Sequence, residues 1–339
     1  MRKPAFGFFT QFETDNIGPL FLLRLKLCYA NGVDAVFFSI NDLDMENEIV
    51  NSYAWTHKGL VREKTRLPYF LEYGGGTTYR EYFRSRVTLI DDFNLSKKAI
   101  NELLIKTELA NMVIPSVYTA VPQKVLAFTS IWKETIIKPL VGARGEGIIC
   151  INPQSQNKFL FTDANQNGCT LSYEESLEKL AELYSGTTVI AQPRLHFINK
   201  DGQTMDFRIN TTKDGEGNWK TVFIIPRTSR DSIVSNFSHG GYASMLEPTL
   251  KLDYMENADK VLEALEMIAN KLPPLVENAS GCNVLSLGID VGFDYETLNP
   301  YIIEVNYVPK LTFPDKLKYY YIQSDYITYF VNKNLPKEV

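Results

Sequence analysis

No two of the four cysteines, Cys28, Cys150, Cys169 and Cys282, stand at CxxC spacing. That leaves no zinc ribbon and no disulfide framework to read, so buried reduced thiols and a cytoplasmic location are expected. Histidine is scarce, with only His57, His196 and His239. His57 and His196 have no recognisable partner, and no nucleophilic Cys–His or Ser–His arrangement is legible, which turns the reading away from covalent catalysis. No stretch approaches the roughly 20 apolar residues that a membrane helix needs. The N-terminal run that ends at Thr10 is short and is soon broken by Glu13 and Asp15, so it does not read as a signal peptide. A net charge of −5 offers no basic footprint for nucleic acid or for an anionic membrane.

What remains is an ordinary soluble composition. The chain has 339 residues, 45% hydrophobic and 22% charged, enough for about two to three domains. A strand over Ala5–Thr10, a helix over Leu20–Ala30 stopped by Gly32, and a strand over Asp34–Ile40 make a β-α-β unit. An N-terminal α/β domain over residues 1–90 is therefore expected, with a hairpin near 55–67 and a turn at Gly74–Gly76. Beyond it, Ser96 is placed to cap a helix running to Ala110. By number alone its lysines, Lys97, Lys98 and Lys106, read as a solvated face. Residues 152–168 read as polar and exposed, Tyr173–Tyr184 as a helix and Thr187–Gln192 as a strand. A helix over Ala258–Leu272 is expected to end at Pro273-Pro274.

Three stretches carry chemistry. The first is Thr135–Cys150, in which Lys138 lies in an apolar run, a loop follows with Gly142, Arg144, Gly145 and Gly147, and a second β-branched run begins at Ile148. This reads as strand, glycine-rich turn, strand. Glycine lets backbone N–H groups close on an anion, and the two cations add charge, so the element suits a polyphosphate. It is neither a Walker loop nor a dinucleotide fingerprint, because no helix follows the glycines. The plain alternative is a tight hairpin with a solvated lysine.

The second is Thr204–Thr211, whose strict alternation puts Asp206, Arg208 and Asn210 on one face, with Trp219–Arg227 returning beside it. The third is a hairpin of 285–294 and 300–307 turning near Thr297, which sets Asp290 opposite Glu304, with Asn306 on the same face. Two facing carboxylates repel, and a divalent cation removes that cost. Carboxylate and amide oxygens suit Mg²⁺ or Mn²⁺ carrying nucleotide phosphates.

Taken in order, Ser96-Lys97, Ile137-Lys138-Pro139, Gly142–Gly147, Ala191-Gln192-Pro193, Asp206-Phe207-Arg208, Pro226-Arg227, Asn236, Gly240-Gly241, Asp290 and Glu304-Val305-Asn306 resemble the ATP-grasp superfamily. The branch they are most similar to is the YheC/YheD-like one, named for endospore-coat-associated proteins; the likeness covers about residues 90–315. It implies an N-terminal α/β domain followed by a two-lobed ATP-grasp fold of α+β character. The smaller nucleotide lobe would span about 112–192 and the larger lobe 193–339.

The resemblance also implies roles. Lys97, Lys138 and the loop with Gly142, Arg144, Gly145 and Gly147 would hold ATP phosphates. Gln192 would meet adenine, although many relatives carry Glu there. Arg208 and Arg227 would be catalytic, and Asp290, Glu304 and Asn306 would hold Mg²⁺. Asn236, His239, Gly240 and Gly241 would form a substrate loop, although His239 reads more simply as a polar loop residue. The implied reaction joins a carboxylate and an amine through an acyl phosphate, on an amino acid, a peptide or a carrier-bound group. A small-molecule kinase, or a spore-associated protein that keeps the fold without turnover, are the alternatives. Oligomeric state is left open.

Overall fold

A computed structural model of the protein describes residues 1–12, 16–73, 78–93, 95–140, 147–164, 166–230, 241–307 and 316–336. The described residues build three sheets in chain order.

The first sheet has seven strands: β1 Phe6–Thr10, β2 Ala35–Ser39, β3 Leu43–Asp44, β4 Ile49–Thr56, β5 Gly59–Arg66, β6 Phe70–Tyr73 and β7 Thr88–Ile90. Its order is β3-β4-β2-β1-β6-β7, with β5 on β4. β1 runs parallel to both β2 and β6, and β6 is parallel to β7. Helices α1 Pro19–Ala30 and α2 Arg80–Arg84 complete this unit. Phe6, Phe8 and Phe9 of β1 are all buried, because a central parallel strand is covered on both faces. Gly7 between them is required by space, since a Cβ there would lie 2.6 Å from Pro68 Cγ.

After α3 Lys97–Leu104 comes an antiparallel sheet of six strands in the order β12-β11-β10-β9-β13-β8. They are β8 Val117–Thr119, β9 Thr135–Pro139, β10 Ile149–Ser155, β11 Lys158–Asp163, β12 Gly168–Ser172 and β13 Val189–Pro193. Helices α4 Pro122–Ile131 and α5 Tyr173–Tyr184 cover it, the second opened by a reciprocal cap between Ser172 and Glu175. The expectation of an exposed polar stretch at 152–168 is corrected here. β10 and β11 form a hairpin with Ile151, Phe159 and Phe161 buried, because alternation of Lys158, Phe159, Leu160 and Phe161 sends the aromatics inward.

The third sheet is antiparallel, in the order β16-β15-β14-β17-β18. Its strands are β14 Thr204–Lys213, β15 Trp219–Ser229, β16 Tyr242–Ala243, β17 Ser286–Phe293 and β18 Pro300–Tyr307. It carries α6 Leu246–Thr249, α7 Ala258–Ser280 and α8 Lys316–Asn334. Val261, Leu265, Ile268 and Leu272 of α7 pack on Phe207, Ile209, Leu287, Ile289 and Val291. At roughly 1.5–3 kcal/mol for each fully buried aliphatic side chain, this face fixes the register. The opposite face is left to Asp206, Arg208 and Asp290.

Two helix ends differ from expectation. Helix α7 does not stop at Pro273-Pro274; it continues to Ser280 and ends at Gly281, whose φ is +65°. Each proline forfeits a backbone bond, but Leu272, Pro273 and Val276 are buried against the core and hold the turn in place. Helix α3 ends at Leu104 rather than Ala110, and a separate 3₁₀ turn covers Ala110–Met112. The thiols also divide: Cys28 and Cys150 are buried, Cys282 is half-buried and Cys169 is exposed on the edge strand β12. No helix among the described residues is long and apolar enough to cross a membrane.

Candidate functional site

Alternation along β14 sends Asp206 and Arg208 away from α7, as the sequence predicts. On β17 and β18 the register sets Asp290 opposite Glu304 and Gly288 opposite Asn306. Arg208 lies opposite Asp290 across the β14–β17 ladder. Three neighbouring strands therefore put their charged side chains on one sheet face.

Asp290 is the hub of that face. Arg208 grips it with two nitrogens: Nη2 donates to Oδ2 at 2.8 Å, while Nε bonds Oδ1. Arg227 Nη2 approaches the same Oδ1 at 2.9 Å. Asn306 Nδ2 donates to Oδ2 at 3.3 Å. Arg227 is itself steadied by Asp206, with Nε on Oδ1 at 2.7 Å and Nη2 on Oδ2 at 2.6 Å. Burial alone would push the Asp290 carboxyl up, but Arg227 and Arg208 outweigh it and hold it below the ordinary carboxylate value.

The six-stranded sheet and helix α3 supply cations from the other side. Lys138 on β9 faces a pocket whose lining includes Lys97, Ile190, Gln192, Ile302 and Glu304. Burial pulls the Lys138 ammonium down to about 8; Glu304 opposes that shift and Lys97 adds to it. Lys97 Nζ lies 3.0 Å from Glu304 Oε1. Of the three lysines read as a solvated face, Lys98 and Lys106 are exposed, whereas Lys97 turns into the pocket. Gln192 is buried, and its Nε2 donates to Ser116 Oγ at 2.8 Å.

Gly147 lies two residues ahead of β10. Its φ of +70° and a Cβ position 3.1 Å from Pro139 Cγ explain the residue, and Tyr184 Oη donates to its carbonyl at 3.0 Å. Gly241 directly precedes β16. Gly142, Arg144, Gly145, Asn236, His239 and Gly240 lie outside the described residues.

The donor set suits a hard divalent cation: Asp290, Glu304 and Asn306 offer oxygens from paired strands. Here the repulsion expected between the two carboxylates is relieved by the protein's own cations, Arg208 and Arg227 on Asp290 and Lys97 on Glu304. Sequence reasoning assigned no role to Ser116 or to Asp206. Asp206 could have been found, since it alternates with Arg208 and pairs with Arg227 in register. Ser116 gave no signal.

This architecture, an α/β unit followed by two sheets with facing cations and carboxylates, is the ATP-grasp fold. D-cycloserine synthetase DcsG superposes with a TM-score of 0.54 at 12% identity, over 97% of this chain and 99% of that one. N5-carboxyaminoimidazole synthetase from Staphylococcus aureus, complexed with ADP, gives 0.54 at 9% identity, over 97% of this chain and 78% of that one. The model of the YheC/D-like ATP-grasp family matches residues 86–330, and the chain belongs to that family. Over 170 residues it is 25% identical to the endospore coat-associated protein YheD of Bacillus subtilis (strain 168), across 48% of this chain and 37% of that protein. The match thus spans little more than a third of that relative's length.

Proposed function

We propose that the protein is an ATP-dependent carboxylate–amine ligase releasing ADP and phosphate. The carrying observation is the convergence of Lys97 and Lys138 on Glu304, beside the Arg208–Asp290–Arg227 cluster. Phosphoryl transfer asks little covalent chemistry of a protein; it asks for positioned cations where negative charge collects.

In this reading Lys97 and Lys138 bind the phosphates, and Gln192 meets the base. Asp290, Glu304 and Asn306 would hold Mg²⁺ or Mn²⁺, which when bound neutralises phosphate charge. A substrate carboxylate oxygen attacks the γ-phosphorus, and the bond to the ADP oxygen breaks. Arg208 and Arg227 steady the transferring group. An amine nitrogen then attacks the acyl carbon, phosphate leaves and the nitrogen loses a proton. The substrates are small-molecule or peptidic, and the compartment is the cytoplasm. The domain limits proposed with this reading are 1–90 for the N-terminal unit and 91–339 for the ATP-grasp unit.

The test is ADP and phosphate release from Mg-ATP with pooled amino acids and dipeptides, with mass detection of products. A product equal to two substrates less water is expected. ATP bound without turnover by any pool would favour the second reading, a fold retained for a coat-associated role, which the internal neutralisation of both carboxylates also suits. Turnover giving a phosphorylated hydroxyl would make the protein a kinase.

A further inference from the structure

Gln192 lines the same pocket as Lys138 and Glu304, beside Ile190 and Ile302, whose apolar side chains suit a flat ring. A primary amide accepts hydrogen bonds at its oxygen and donates them at its nitrogen, and the two ends are nearly alike in shape. Which end a ligand meets is decided by what holds the other. Here the holder is Ser116, directly ahead of β8. Val117 lies opposite Ala191 across the β8–β13 pair, so Ser116 and Gln192 come next along that ladder. Gln192 Nε2 donates to Ser116 Oγ at 2.8 Å. A serine hydroxyl has a single proton, and that of Ser116 goes to the Ile114 carbonyl at 2.7 Å, which can only accept. Ser116 therefore faces Gln192 as an acceptor, and only the NH₂ end of the amide can meet it. Gln192 Oε1 has no hydrogen-bond partner among the described residues and is not sealed from the pocket.

We infer that Ser116 is a positioning residue for base choice: by holding the Gln192 nitrogen it turns Oε1 to the base, and so selects a purine with a 6-amino donor over one with a 6-oxo acceptor. Adenine offers N–H at that position. Hypoxanthine and guanine offer an oxygen, which would meet Oε1 acceptor to acceptor and leave both unpaired. Without the Ser116 hydroxyl the amide could turn over and donate to such an oxygen, so the preference resides in the pair and not in Gln192 alone. The inference deepens the ligase reading and rests on it, and it adds the residue that decides which nucleotide the pocket takes.

The experiment titrates the full chain, in Mg²⁺, with ADP and with inosine diphosphate, whose base carries oxygen in place of the 6-amino group. Calorimetry reads both affinities, and a melting curve of each variant checks the fold. The wild-type chain should prefer ADP by about tenfold or more. Ser116 is only half-buried, so Ser116→Ala should fold, and its preference should shrink to within about threefold as the amide turns freely. Ser116→Thr keeps the hydroxyl and should keep the preference. A glutamate presents oxygen at either end, so Gln192→Glu combined with Ser116→Ala should regain the preference, a rescue that a purely structural role for Ser116 would not allow. A Ser116→Ala chain with the wild-type ratio, or a double variant that stays unselective, would overturn the inference. Equal binding of the two nucleotides by the wild-type chain would overturn it too and leave the ligase reading standing. A wild-type chain that binds neither would overturn the ligase reading and the inference with it.

Discussion

Two buried aspartates in this chain have opposite fates. Asp290, on β17, is ringed by Arg208, Arg227 and Asn306 and is held ionised. Asp91, just beyond β7, is buried to a similar degree, but burial and the neighbouring Glu72 carboxylate push it up to about 8. Arg24 opposes that shift, yet it is committed to Glu72 and to Gln323 Oε1 at 2.7 Å. Asp91 is left with backbone N–H groups, among them Leu285 N at 2.6 Å. Burial raises both carboxyls; the number of uncommitted cations decides which one keeps its proton.

The comparison breaks most violently if Asp290 loses a guanidinium. Arg227→Met strips one partner from Asp290 and the bidentate partner from Asp206, leaving buried charge uncompensated. A loss of roughly 3–5 kcal/mol in urea unfolding is expected; a loss under about 1 kcal/mol, the range of an exposed pair, would show that solvent reaches the cluster. Glu304→Ala tests function rather than stability. Its carboxylate is partly exposed and paired with Lys97 alone among the ion pairs described. The fold should survive while Mg²⁺-dependent ADP release disappears, and unchanged release would remove Glu304 from the metal site.

Asp91→Asn sharpens the other side. A carboxyl whose ordinary value is 3.8 and whose folded value is about 8 favours the folded state fully below 3.8. That advantage is lost as pH rises from 3.8 towards 8, and no further loss follows above it. The Asn variant should therefore melt a few degrees above wild type at pH 8, and the gap should close near pH 4. A gap that does not change with pH would mean Asp91 is ionised throughout.

The smallest effect concerns Lys138, lowered to about 8 by burial. Triphosphate or diphosphate beside it favours the charged form, so ADP binding at pH 8.5 should take up a fraction of a proton. Calorimetry in buffers of different ionisation enthalpy reads this directly. Lys138→Met should abolish the uptake; persistence of it would assign the proton elsewhere.

How much of this was legible beforehand follows from what periodicity can encode. Alternation along β14 reports a face, so Asp206 and Arg208 were placed correctly. A turn centred near Thr297 sets Asp290 opposite Glu304 by counting; the structure reaches that pairing through a register shift between Asp290 and Val291. Counting gives no angle about a helix axis, and Lys97 was indistinguishable from Lys98 until α3 packed. Ion pairing across strands was hidden for the same reason: Arg208 and Arg227 were expected as catalytic residues, and nothing in the spacing showed that both would also pair with Asp290. Helix α8 escaped notice because Tyr319, Tyr320, Tyr321, Tyr326 and Tyr329 suggest a strand as readily as a helix. Tertiary contacts, not local preference, select its form.

Those contacts have a consequence for how the molecule is made. Phe330 of α8 meets Phe70 edge-on at 5.1 Å between ring centroids, and Ile327 and Val331 join Phe6, Phe8 and Phe37 in one core. The first sheet thus shares its core with a helix that follows both later sheets in the chain. Until then its aromatic face is covered only in part, by α1. Synthesis at about 5–20 residues per second leaves that face waiting while the two later sheets are made. A nascent chain arrested before Lys316 should be the species that recruits chaperones, although all three sheets have already been synthesised.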